Sequence, residues 1–257
     1  MPIGQFGNRM MGGKEAASPR YIFTNLTTLA RLVFHKDDDN ILSYQVEEGQ
    51  RIEPDYYAPI LPMCLINGAE GIGTGWSTSI PCYNPLHIAD NIRKRLRNSS
   101  YKFHRMIPWF RGFTGRIELN EDGTNYIVHG RFARVERENT LIIRELPIQV
   151  WTRNYKNFLE ELAINDKITD IKEFHKDNTV HFELTVSDLR KLSDEEIMKD
   201  FRLTTSMSCS NFVLFDRDYK IRKYANEIEI LEEFFHYRYE MYEKRKADMI
   251  KRLVQRL

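Results

Sequence analysis

Apolar positions along the chain fall into blocks with different periods. Ile22, Leu26, Leu29 and Val33 recur at helical spacing behind Ser18-Pro19, an N-cap followed by a first-turn proline, and predict a helix from about Pro19 to His35. Asp37 to Asn40 reads as a polar turn. Ile41 to Val46, Arg51 to Glu53 and Ile60 to Ile66 read as short strands bounded by Pro and Gly. A second helix is predicted from about Leu86 to Arg97, opened by Tyr83-Asn84-Pro85, with Ile88 and Ile92 on its apolar face. Three β-like runs follow at Gly115 to Leu119, Tyr126 to Phe132 and Thr140 to Glu145, separated by Asp122-Gly123 and a charged turn at Glu136 to Asn139, and an α/β segment runs on to about Phe215. From Asn226 to Leu257 there is neither Gly nor Pro. Ile228, Leu231, Phe235, Tyr242, Met249 and Leu253 mark one face of a long helix, acidic at its start and basic at its end. That helix is expected to be one arm of a coiled coil that continues beyond the chain.

The pattern fits a globular α+β protein of one or two domains in 257 residues, 42% of them hydrophobic. A formal net charge of +1 predicts no polyanion partner by itself, but the whole-chain sum hides a local feature. Arg93, Lys94, Arg95, Arg97, Lys102, Arg105 and Arg111 lie together with no carboxylate among them, either a phosphate-tracking stripe or a solvated helix face. Cys64, Cys82 and Cys209 are odd in number and without CxxC spacing, which points to neither a disulfide framework nor a zinc site and suits a reducing compartment. No stretch approaches the ~18 apolar residues of a membrane span, so no membrane partner is expected.

The segment richest in chemistry runs from Gly4 to Tyr21, GQFGNRMMGGKEAASPRY. It reads as a glycine-rich basic loop feeding a helix N-terminus, where free N–H groups and the dipole favour phosphate. Tyr21 falls on the polar face with Asn25, Thr28 and Arg31 and is expected to be exposed. A phenol of pKa ~10 is a weak nucleophile at neutral pH and needs nearby positive charge, which Arg20, Lys14 and the helix end could supply. Spacing alone leaves Tyr21 eligible and equally describes an ordinary helix tyrosine. Further on, Gly68, Gly71, Gly73 and Gly75 surround Ile72 and predict a sharp turn with an apolar tip. A plain hairpin fits that stretch as well. A P-loop does not, because no GK[ST] step and no helix follow at Ser77 to Pro85. Trp151 is either exposed to a ligand or packed against the next helix.

Three blocks in order carry a family resemblance: GQFG, a GGK step and ASPRY at Gly4 to Tyr21; PMCLINGAEGIGTGWS at Pro62 to Ser77; and ELPIQVWTRNYK at Glu145 to Lys156. They resemble eukaryotic and viral type II DNA topoisomerases, with Cys64 the unusual residue of the second block. The resemblance implies Tyr21 as the nucleophile that forms a 5′-phosphotyrosyl bond, Arg20 as the stabiliser of the transition state, Ile72 as a wedge between base pairs, and Trp151 and Lys14 as DNA contacts. It implies residues 1–60 as the C-terminal part of a winged-helix domain, 61–222 as a mixed α/β tower domain that bends DNA, and 223–257 as the start of a coiled-coil gate helix.

The function so implied is an ATP-dependent transient double-strand break with strand passage and religation, in a homodimer acting on double-stranded DNA. The resemblance also implies Mg2+, held by a Glu and a DxD pair in an upstream domain, and ATP in a further one. No metal ligand is assigned here, since Asp37-Asp38-Asp39 reads as a solvated turn and the seven histidines form no pair. Alone, the chain is expected to bind DNA and hardly cleave it. The nucleus is the implied location, with an organelle such as a mitochondrion or a cytoplasmic viral replication site as alternatives. Two other readings stay open: a non-catalytic DNA-bending module of the same descent, and a coiled-coil scaffold that binds a protein.

Overall fold

The computed structural model describes residues 1–176 and 178–256; Leu257, the last residue of the predicted C-terminal helix, lies outside the described residues. The chain folds as a mixed α/β protein in two compact units made of interleaved segments. Met1–Asn25 folds with Phe110–Ser208, and Leu26–Trp109 folds with Cys209–Leu257. Single cuts at 60 and 222 therefore fall within the second unit.

The first unit is built on a four-stranded antiparallel sheet in the order Ile168–Glu173, Phe182–Val186, Thr140–Glu145, Arg131–Val135. Alternation decides its inner face: Leu141 and Ile143 from one strand, and Phe182, Leu184 and Val186 from the next, are buried. The helix Thr152–Ile164 lays Tyr155 and Leu159, one turn apart, on that face. Burial raises the Tyr155 phenol, whose hydroxyl donates to the Phe201 carbonyl at 2.6 Å. The helix Asp194–Asp200 starts with a capping box between Ser193 and Glu196. A three-stranded sheet pairs Thr204–Ser208, Asn125–His129 and Arg116–Leu119. The predicted run Tyr126 to Phe132 is thus divided at Gly130, its two halves serving different sheets.

The second unit holds the helices Ala30–Val33, Met63–Asn67, Pro85–Arg97 and Glu227–Val254, with hairpins at Tyr44–Glu47/Gln50–Pro54 and Ala69–Gly73/Trp76–Ile80. The Phe212–Phe215 strand, paired with Ile221–Tyr224, lies beside the second hairpin. Leu65, Tyr83, Ile88, Phe212 and Leu231 are among its most buried side chains.

Four expectations are corrected. The helix from Pro19 to His35 is instead a single 3-10 turn at Pro19–Tyr21, a strand at Phe23–Thr24 paired with Pro2–Ile3, and a four-residue helix at Ala30–Val33. Thr24, Asn25, Thr27 and Thr28 compete for backbone hydrogen bonds, and the division between units falls inside the apolar period that suggested the helix. Ser18 makes no side-chain cap.

The run Ile60 to Ile66 ends in the helix Met63–Asn67 where a strand was predicted; a short apolar run does not distinguish the two. Asp37 to Asp39 is no solvated turn. Asp38 is 2% exposed, its carboxylate bound by Arg238 at 2.8 Å and by Arg245 at 3.4 Å, while Arg238 also donates to the Ala58 carbonyl. This correction explains the fourth. The long helix runs as predicted from Asn226, whose side chain caps it, but its buried line passes through Glu227, Arg238 and Met241, and only Leu231 of the six predicted face residues is fully buried. Charged side chains with buried partners shift the phase of an amphipathic helix away from its hydrophobic stripe.

Candidate nucleic-acid interface

Tyr21 closes the 3-10 turn, with its N–H donating to the Ser18 carbonyl at 2.9 Å, and its side chain is 64% exposed. The Arg20 guanidinium carbon lies 5.0 Å from the Tyr21 ring centroid, a cation–π distance that keeps positive charge beside the phenol. Lys14 is exposed on the same loop. A turn of three residues carries little macrodipole, so the positive field expected from a helix end must come from these side chains.

The loop ahead of Tyr21 is a built structure. Asn8 accepts from Gly12, Gly13 and Met10; Glu15 accepts from the Asn8 N–H at 2.7 Å; and the Ala17 N–H donates to Gln5. Its glycines permit close approach: a Cβ on Gly7 would stand 2.6 Å from the Gly13 Cα, and one on Gly12 would stand 2.2 Å from the Trp151 ring. Trp151 is half-buried against Gly12 and occupies the N-cap position of the Thr152–Ile164 helix. Within this unit its ring packs against the loop at Gly12.

Sequence reasoning missed what anchors the loop. Arg9 is ion-paired to Glu145, a carboxylate only 2% exposed, and also reaches the Leu146 carbonyl at 3.5 Å. The other Glu145 oxygen accepts from the Thr114 N–H at 2.9 Å and its hydroxyl at 3.0 Å. The Met10 carbonyl accepts from the Arg153 N–H at 3.0 Å. A signal existed: Glu145 shares the inward register of Leu141 and Ile143, and a carboxylate on a core-facing position demands a cation.

In the second unit, Ile72 lies opposite Ser77 next to the end of its hairpin and is 95% exposed. Trp76, Phe215 and Ile221 are exposed too, and with Ile72 they line an apolar depression of about 470 Å³. The basic stripe is divided between the two units: Arg111 belongs to the first and Arg93 to Arg105 to the second. Lys94, Arg95 and Arg105 are engaged by Asp90, Glu232 and Glu227 respectively, whereas Arg93, Arg97 and Lys102 stand exposed.

Among the described residues no group of three or more His, Cys, Asp or Glu side chains is gathered to hold a metal ion, so the residues present do not fit the implied Mg2+. No helix of the described residues is long and apolar enough to cross a membrane.

Comparison with known proteins gives a consistent answer. The chain is 47% identical over 261 residues to DNA topoisomerase 2 of Arabidopsis thaliana, covering 98% of this chain and 18% of that protein. It is 45% identical over 259 residues to human DNA topoisomerase 2-beta, covering 97% and 16%. It thus spans less than a fifth of the length of either relative. Among solved structures, it resembles the DNA-binding, cleavage and re-ligation domain of Plasmodium falciparum topoisomerase II, with a TM-score of 0.88 and 42% identity over 99% of this chain and 35% of that one. The family model for the A-type subunit of DNA gyrase/topoisomerase IV matches residues 1–257, and the chain belongs to that family.

Proposed function

We propose that the chain carries the strand-cleaving nucleophile and the DNA-bending surface of a type II DNA topoisomerase. The observation that supports this best is Tyr21, exposed after an internally hydrogen-bonded basic loop with Arg20 beside its ring. In the proposed step the Tyr21 hydroxyl oxygen attacks a backbone phosphorus, the bond from phosphorus to the 3′ oxygen breaks, and the 5′ phosphate stays on the tyrosine. The phenol proton leaves to an acceptor and the departing 3′ oxygen gains one, so the reverse reaction restores both groups. One phosphodiester replaces another, which makes the break resealable without an outside energy source. Arg20 offers donors to phosphoryl oxygens whose charge rises in the transition state, with Lys14 adding charge nearby.

Ile72 acts as the wedge: an apolar side chain at a hairpin tip can unstack a base step at a cost of a few kcal/mol and bend the duplex. In the terms of the family resemblance, Tyr21 sits on the winged-helix part, Ile72 on the tower and Glu227–Val254 at the start of the gate. Met249, Ile250, Leu253 and Val254, exposed near the end of that helix, would cover one another in a homodimer. ATP and Mg2+ are requirements we assign to the complete protein, and no step is derived through them here.

The test is to trap protein-linked DNA with detergent after incubating the complete protein with duplex DNA and magnesium. Tyr21→Phe is expected to abolish the adduct and leave DNA affinity unchanged. Adduct formation by that variant would overturn the assignment.

A further inference from the structure

The loop that carries Tyr21 is held by residues more than a hundred positions away in sequence, and their arrangement suggests more than stability. Glu145 ends the Thr140–Glu145 strand next to a register shift between Ile143 and Glu145, buried in phase with Leu141 and Ile143 and ion-paired to Arg9. Its two oxygens accept from Arg9, Leu146, Thr114 N–H and Thr114 hydroxyl, so the carboxylate is fixed from every side. A few residues on, Trp151 lies on Gly12, and the Arg153 N–H holds the Met10 carbonyl. From Asn8 to Ala17 the loop is internally hydrogen-bonded, with a further bond from Ala17 to Gln5, and the Ser18–Tyr21 turn follows it directly in the chain.

We propose that Glu145, through Arg9, and Trp151, through Gly12, are positioning residues that set where the Tyr21 hydroxyl meets the scissile phosphorus. The inference rests on the reading of Tyr21 as the nucleophile. It also gives the ELPIQVW segment a role in placing the tyrosine. A nucleophile misplaced by about 1 Å can lose on the order of a hundredfold in rate, which is the scale at stake.

The experiment uses the complete protein, magnesium and a duplex with a single cleavage site, and measures cleavage rate, religation rate, DNA affinity and melting temperature. Glu145→Gln and Arg9→Gln are each expected to slow cleavage and religation by the same factor, about a hundredfold. The adduct fraction at equilibrium and the DNA affinity should stay at their wild-type values, a signature that a merely structural role would not give. Because the two act as one unit, the double variant should be no slower than the slower single one. Gly12→Ala alters the second contact at an exposed position, displacing the indole and straining a backbone at φ +65° together, and leaves no buried charge unpaired. It should slow both directions by at least about tenfold.

The proposal is overturned if Glu145→Gln and Gly12→Ala keep both rates within about threefold of wild type. It is equally overturned if the losses follow DNA affinity, or if the double variant shows the product of the single effects. If Glu145→Gln does not fold, Gly12→Ala decides. An adduct that survives Tyr21→Phe would instead overturn the reading beneath the proposal, whatever the loop variants do.

Discussion

The Tyr21 loop and the Ile72 hairpin both present exposed side chains, yet they are held in opposite ways. Ile72 lies in a hairpin whose two strands come from residues 69–80, paired from Ala69↔Ile80 to Gly73↔Trp76. The neighbouring Phe212–Phe215 strand adds the Asn211 contacts to Ser77 and Ser79 and that of the Val213 N–H to Thr78, and the hairpin ladder itself is local. The Tyr21 loop has no ladder from Gly4 to Ser18 and owes its shape to turns, to glycines that let the backbone close on itself, and to Glu145, Trp151 and Arg153 far along the chain. A wedge needs only to protrude, so a local hairpin suffices. A nucleophile must be placed, and placement draws on buried groups with fixed geometry.

If distant ion pairs are the strong holds, the largest stability effect in the molecule belongs to the most buried one. Arg238→Ala strips Asp38 of its main partner in the second unit and is expected to cost roughly 3–5 kcal/mol, read by urea denaturation. Next, Glu145→Ala leaves Arg9 partly buried without a carboxylate; a loss of roughly 1–3 kcal/mol is expected, with new protease sensitivity between Gly4 and Ser18. A loop as resistant as wild type would break the comparison. Asn211→Ala removes one half-exposed bond to Ser77 and should cost only about 0.5 kcal/mol, since the hairpin ladder remains. Ile72→Ala should change stability by less than about 0.5 kcal/mol while reducing the DNA bend seen by energy transfer. An unchanged bend would remove the wedge from the account.

The same contrast explains what the sequence made legible. Gly71-Ile72-Gly73 and the Pro85–Arg97 helix could be read because their determinants are neighbours in the chain: closely spaced glycines, a capping Asn84 and a proline at the first turn. The Pro19 to His35 helix failed because its apolar period was shared between two units, a fact invisible until Met1–Asn25 is seen folded with Phe110–Ser208. Asp38 and the phase of the long helix failed together, since each depended on a charged partner at the other end of the sequence. At the site, Tyr21 is exposed as expected, but the helix face from which that was argued is absent, and the exposure comes from a 3-10 turn. Arg9, Glu145 and the seat of Trp151 on Gly12 required the three-dimensional fold.

The central claim is that one of thirteen tyrosines is the attacking group. Its most direct test is to trap the protein–DNA adduct of the complete protein, digest it with nuclease and protease, and sequence the nucleotide-bearing peptide by mass spectrometry. The account predicts a 5′-linked nucleotide on Tyr21, within the peptide that follows Arg20. A nucleotide found on any other tyrosine, or on a serine, would contradict it.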